Sequence, residues 1–300
     1  MPHCPLSMNK GVFMNGIVII DKPADWTSQD VVSKLRGVLH TKRIGHGGTL
    51  DPMATGVLPV FVGRATRGVE FFEHAVKTYE AVLRLGVTTT TEDITGEVLE
   101  KREISVTKEL FLAALAKFRG EIQQIPPMYS AVKIHGQKLC DLARKGKEVT
   151  RQPRTVTIFN LQCLDFTGHT ARLTVTCSKG TYIRTLCKDI GETLGCGGCM
   201  ESLRRTAAGA YSIEEAVPLA TLVESPDPES YLRPVDTMFA EHPAITLTDK
   251  QALRCRNGNS FSIELPNGTY RAYGPEGEFL MLAKAESGVM STIKSFFDVL

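Results

Sequence analysis

What the chain lacks narrows it before any motif is read. No window approaches the eighteen or so apolar residues that a membrane-spanning helix needs, and the first fifteen residues have no charged start followed by a long apolar run. A soluble, unexported, cytoplasmic protein is therefore expected. No internal repeat or low-complexity tract appears. Cys196-Gly197-Gly198-Cys199 has the spacing of half a zinc or redox site, but no second pair accompanies it, so no metal is expected there. The eight cysteines are irregularly spaced in a 300-residue chain that is long enough to need no disulfide staples, which suits reduced thiols. A phosphate-cradling glycine loop, a Ser-His-Asp arrangement and a metal cluster are all missing.

Net charge is nearly absent too, at +2. It is unevenly spread: Lys and Arg counted against Asp and Glu give −1 for residues 1–100, +7 for 101–220 and −4 for 221–300. Lys133, Lys138, Arg144, Lys145, Lys147, Arg151 and Arg154 fall within 22 residues, opposed only by Asp141 and Glu148. Such a stretch is either a solvated helix face or a track for a polyanion such as nucleic acid.

What is present is an unusual loop. Arg43 to Val60 holds four glycines and two prolines in eighteen residues, with Asp51 as its one acid. Glycine and proline at this density predict tight turns and neither a continuing helix nor a central strand. Asp51 is thus expected on a shaped loop, either as a nucleophile or as a turn-former capping its own backbone.

Around it the pattern alternates. Residues 16–20 read as a buried strand, a helix capped by Thr27 or Ser28 buries Val31, Val32, Leu35, Val38 and Leu39, and 57–62 is an apolar strand. Helix is expected over 64–75, and a strand over 78–85 with Tyr79 near its start. Residues 86–96 form a loop. A helix capped by Thr107 is expected to bury Leu110, Phe111, Ala114, Leu115 and Phe118, and a short basic helix spans 138–144. Strands near 155–166 and 171–177 suit an antiparallel pair. A glycine turn then opens a helix from about 182 to 195, with Tyr182 and Arg184 at its start, and Leu203-Arg204-Arg205-Thr206 lies in a further strand. After 220 short strands and turns read as a small β-rich domain from about 243.

Six blocks in chain order carry a resemblance. They are 16–23 with Thr27-Ser28, Gly45 to Pro59, Lys77-Thr78-Tyr79, Pro126 to Lys133, Gly180-Thr181-Tyr182-Ile183-Arg184 and Leu203 to Thr206. Over roughly 16–211 the chain resembles the TruB type of pseudouridine synthase, whose bacterial members convert uridine 55 of the tRNA T loop. The resemblance implies an α+β fold: a mixed, largely antiparallel sheet with a central cleft, plus a small PUA-like β-domain. The expected organisation is an N-terminal extension (1–15), a catalytic domain (16–220), a linker (221–242) and an RNA-binding tail domain (243–300).

By the same resemblance Asp51 is the catalytic aspartate, Tyr79 stacks on the flipped uracil and Arg184 pairs with Asp51. His46 fills the gap left by the extruded nucleotide, while Tyr182, Lys133 and Leu203 complete the pocket, supported from Lys22. Asp25 stands where the family commonly has glycine, so a different local turn is expected there. Gly47 stands where threonine is frequent. The implied partner is the T stem-loop of tRNA, acted on by a monomer without cofactor or obligatory protein partner. An RNA-binding module without catalysis, a guide-RNA-dependent subunit of a larger complex and a hydrolytic glycosidase are the rivals. The last usually needs a second carboxylate beside Asp51.

Overall fold

The twisting path that places Asp51 begins with β1 (Gly16–Lys22), buried along its length except at Asp21. The computed structural model describes residues 14–130, 132–134 and 136–297, without the side chains of Lys133 and Lys138. Helix α1 (Ser28–Val38) starts at a capping box: the Thr27 hydroxyl accepts from the Asp30 N–H, and the Asp30 carboxylate accepts from the Thr27 N–H. Strands β2 (Ile44–His46) and β3 (Thr55–Val62) flank the Asp51 turn, and a 3₁₀ segment at Gly63–Gly68 leads into the short α2 (Val69–Phe72). Next come β4 (Lys77–Leu85), the hairpin β5 (Val87–Thr89) and β6 (Val98–Lys101), α3 (Lys108–Ala116) and β7 (Gly120–Gln124). A hairpin of two-residue strands, β8 (Lys133–Ile134) and β9 (Gln137–Lys138), precedes α4 (Leu139–Ala143). The long pair β10 (Arg154–Phe166) and β11 (Thr170–Cys177), α5 (Ile183–Thr193) and β12 (Gly198–Ala208) follow. Finally β13 (Tyr211–Ser212), β14 (Val217–Pro218) and α6 (Leu219–Glu224) close this part of the chain.

The strands form one mixed sheet in the order β14-β1-β3-β12-β4-β11-β10-β7, with β13 on β12 and β2 on β3. Among its described strands only β1 with β14 and β3 with β12 run parallel. Tyr79, Leu83, Leu173 and Leu203 pack under α5 residues Ile183, Leu186 and Ile190, and α1 covers β1 and β3 through Val31, Val32 and Leu35. Because side chains alternate across a strand, Arg204 and Arg205 point to opposite faces of β12. A register shift between Arg205 and Ala207 bends that strand where it meets β4.

Three expectations are corrected. The strand expected over 57–62 is β3, which starts earlier, at Thr55, and lies in the middle of the sheet, although its glycine and proline predict against a central strand. Pro59 is tolerated because β12 pairs with β3 only at Thr55 and Gly56, while β2 begins at Val60. The missing N–H faces that gap, and the Pro59 carbonyl there accepts from Gly47. Leu110 is exposed, so α3 buries Phe111, Ala114 and Leu115 instead. The segment expected as a linker holds most of α6 and two 3₁₀ turns, and Arg233 exchanges backbone hydrogen bonds with Ile17.

The expected small β-domain is a five-stranded sheet, β15 (Ala244–Thr246), β16 (Phe261–Ser262), β17 (Gly268–Tyr273), β18 (Phe279–Glu286) and β19 (Val289–Ser295), with α7 (Asp249–Arg256) against it. It is fused to the main body. Leu282 and Phe296 join Phe61, Phe72 and Phe239 in one core, and Arg67 donates to the Ser295 hydroxyl.

Candidate active site

The loop between β2 and β3 is held at successive points by buried polar groups. The Ser28 hydroxyl, at the first turn of α1, accepts from the Leu50 N–H at 2.8 Å. Lys22, wholly buried, donates to the carbonyls of Pro23, Trp26 and Pro52 at 2.8, 2.6 and 3.0 Å. The Pro52 carbonyl also accepts from the Asp25 N–H at 2.9 Å, and Asp25 has φ +64°. The different turn expected at Asp25 is therefore a left-handed one, a conformation open to Asp at small cost. Arg205, also wholly buried, donates to the carbonyls of Val57 and Gly48 at 2.6 and 3.2 Å. Gly56 has φ +101°, and a Cβ there would lie 2.2 Å from the Arg205 carbonyl oxygen, so only glycine fits.

Asp51 projects from this frame toward the N-terminus of α5. Arg184 grips it with two nitrogens, Nε to Oδ2 and Nη2 to Oδ1, each at 3.0 Å. The guanidinium is itself fixed by the carbonyls of Thr91 at 3.0 Å and Tyr129 at 2.8 Å, and by Asp93 at 3.7 Å. Burial pushes the Asp51 carboxyl above its usual range; Arg184 pulls against this and Asp93 adds to it. With 32% of its side chain still open, the carboxylate can meet a ligand, whereas Arg184 at 6% cannot present a free edge. A two-point guanidinium-carboxylate contact is the form of ion pair that best offsets desolvation.

Tyr79 lies on β4 opposite Arg205 of β12 and Val175 of β11, close to Leu203 and Leu50. It is 7% exposed, and burial raises its phenol, opposed by Arg205. His46 ends β2, half-buried, with Nδ1 accepting from the Gly48 N–H at 3.3 Å. Tyr182 is the residue before α5, and the Gln124 side chain bonds both its N–H and its carbonyl, at 3.0 and 3.2 Å. The sheet and α5 thus bring together Asp51, Tyr79, Arg184 and Leu203. Lys22 sits beneath the loop with its ammonium on three carbonyls, and its pKa is lowered by burial to about 8, Asp51 pulling the other way. The side chain of Lys133 lies outside the described residues.

Four partners are not legible in the sequence pattern. Asp93 and Glu92 come from a threonine-rich loop with no periodicity. Glu92, at φ +63°, accepts from Thr185 and Lys188 of α5 at 2.7 and 2.8 Å, and Asp93 accepts from the hydroxyls of Thr91 and Thr95. Asp93 is thus a second acid near Asp51, but 5% exposed and beyond the arginine. Gln124 ends β7, a strand too polar to show in the pattern. Arg205, one of two cations expected on its strand, is a core residue. Arg204, on the opposite face, is bidentate to Asp21 at 3.1 and 2.7 Å. Cys196 and Cys199 are buried, their thiols pushed up by burial.

Comparison with known proteins gives the class, that of the pseudouridine synthases. The family model for the N-terminal domain of TruB family pseudouridylate synthase matches residues 36–183, and that for the tRNA pseudouridylate synthase B C-terminal domain matches 184–240. The chain is 44% identical over 277 residues to a tRNA pseudouridine synthase B of Stutzerimonas stutzeri, covering 89% of this chain and 90% of that one. It is 39% identical over 289 residues to that of Clostridium kluyveri, covering 94% and 100%. Among solved structures, a Cbf5-Nop10-Gar1 complex is similar with TM-score 0.71 and 26% identity, covering 95% of this chain and 86% of that one. The chain belongs to the TruB family, and its reaction class is the isomerisation of uridine to pseudouridine.

Proposed function

We propose that the protein modifies tRNA at uridine 55 of the T loop, acting alone on the naked RNA. Support comes from the two-point contact between Arg184 and Asp51 beside the Tyr79 ring. The reaction breaks the bond from N1 of uracil to C1′ of ribose, turns the base, and joins C5 to C1′; the hydrogen on C5 leaves as a proton and N1 gains one. Asp51 serves as the carboxylate that acts on C6, on the anomeric carbon or by assisting elimination, and each route requires it ionised. Arg184 holds that charge in a desolvated setting. Tyr79 is the stacking platform for the extruded uracil, with Leu203 beside it and Tyr182 and Lys133 at the pocket. His46 occupies the space left in the RNA fold, since stacking lost on flipping must be replaced. The catalytic part spans 16–220 and the segment from 243 is an RNA-binding domain.

Tritium release from tRNA labelled at uracil C5 tests this. The expected outcome is about one tritium per tRNA, abolished when position 55 is cytidine. Release that persists without uridine 55 would reassign the target, and release only in the presence of added protein or guide RNA would favour the multiprotein reading.

A further inference from the structure

Arg205 is the largest side chain among the fully buried described residues, and its guanidinium donates to the main-chain carbonyls of Val57 and Gly48. A buried cation is expensive unless every contact is made, so its placement calls for a use. Its two carbonyl partners are Gly48 and Val57, one on each side of Asp51 along the chain. The Arg205 backbone is locked as well: β12 meets β3 at the pair Arg205 and Gly56, so close that a Cβ on Gly56 would collide. Directly across the β4 ladder lies Tyr79.

We propose that Arg205 is a positioning residue for pseudouridylation, a clamp that spans the catalytic loop from Gly48 to Val57 and thereby aims Asp51, His46 and Tyr79. This rests on the reading of Asp51 and Tyr79 as the site of uridine isomerisation. Lysine cannot replace the clamp, because one ammonium lacks the planar, divergent donors that reach two separated carbonyls. The guanidinium also reaches His46 and Tyr79 electrostatically. It reinforces the lowering that burial imposes on the His46 imidazole, and it opposes the rise that burial imposes on the Tyr79 phenol. A neutral imidazole leaves Nδ1 free to accept from Gly48.

The test compares Arg205→Lys and Arg205→Met in single-turnover tritium release at saturating enzyme, with RNA affinity measured separately and His46 followed by NMR. Both variants are expected to lose about tenfold or more in rate with affinity within about threefold, since misplacement of reacting groups costs rate and not binding. His46 should titrate at higher pH in Arg205→Met and be unmoved in Arg205→Lys, which keeps the charge. A wild-type rate for Arg205→Lys overturns the clamp, whereas absent release by the wild-type enzyme defeats the underlying functional reading instead. If neither variant folds, hydrogen exchange at Arg205 Nε–H of the wild type decides. Strong protection that persists on RNA binding supports the clamp, and exchange as fast as that of an exposed arginine overturns it.

Discussion

Arg184 lies between two acids, meeting Asp51 with Nε and Nη2 at 3.0 Å each and facing Asp93 with Nη1 at 3.7 Å. The fork, not the charge alone, joins the threonine-rich loop, α5 and the Asp51 loop. Arg184→Lys is therefore expected to cost on the order of a hundredfold in rate and some thermal stability, while circular dichroism shows the fold retained. A wild-type rate would show that a single charge at this position suffices and that the two-point grip on Asp51 is not needed for turnover.

Asp51→Asn should abolish tritium release and leave RNA affinity within a few-fold, because the amide keeps the shape but neither the charge nor the nucleophilicity. Retention of a tenth of the rate would displace Asp51 from the chemistry. The acid limb has a defined sign. Burial raises the Asp51 pKa above its ordinary 3.8, so the active carboxylate is lost on acidification at a higher pH than for an exposed aspartate. Asp93 contributes to that rise, and Asp93→Asn should move the limb to lower pH in a single-turnover profile. A limb that stays put would show that Asp93 acts on Arg184 geometry alone.

Much of this is legible in the sequence, for identifiable reasons. Asp51, Tyr79 and Arg184 sit in the blocks that carry the family resemblance, α1, β4, β10 and β11 follow from periodicity, and α5 from the glycine turn that opens it. The remainder depends on pairing between distant segments. Pro59 is compatible with a central strand only because β12 leaves before β2 begins. Arg205 looks like its neighbour Arg204 until the fold assigns them opposite faces. Asp93 is one acid among several in a loop, and only Arg184, far along the chain, singles it out. The tail's α7 and β19 carry polar, exposed faces that hide their periodicity.

Lys22 predicts the alkaline limb. Its three carbonyl bonds require the ammonium, and burial lowers its pKa from 10.5 to about 8. Above that pH the neutral amine has two hydrogens for three acceptors, so the hold on Pro52 weakens and the rate should fall as pH passes about 8. Stability runs the other way: the unfolded chain holds the proton up to 10.5, so between about 8 and 10.5 this group adds stability as pH rises. Lys22→Met should lower the rate throughout and remove the limb. A limb unchanged in that variant would assign it to another group.

The small C-terminal domain should not be separable from the rest. Phe296 and Leu282 complete the core that contains Phe61, Phe72 and Phe239, and Lys294 pairs with Glu70. Ending the chain near residue 243 would expose those rings, and burying an aromatic side chain contributes roughly 1.5–3 kcal/mol. A lower melting temperature and dye binding to exposed apolar surface are expected. A truncated protein that melts like the full chain would show that the main body closes its own core.

The cations of the basic stretch divide by what each already touches. Arg151 is committed, donating to the Pro126 carbonyl at 3.1 Å and to Glu148 at 3.3 Å, with 19% of its side chain open. Arg204 and Arg205 are engaged on either face of β12. Arg144, Lys145 and Lys147 at the end of α4 remain exposed, and Asp141 reaches Arg144 only at 3.9 Å. If these three lie along the RNA backbone, neutralising them together weakens binding and flattens its salt dependence, by about 0.9 in log-log slope for each duplex phosphate that a cation no longer neutralises. The single-turnover rate on saturated enzyme should hold, because phosphate-binding side chains position the RNA without touching the reacting base. Affinity across a salt series, beside that rate, is the measurement. An unchanged slope would make the three cations a solvated helix end, and a rate that falls even at saturation would place them in the chemistry and not on the backbone.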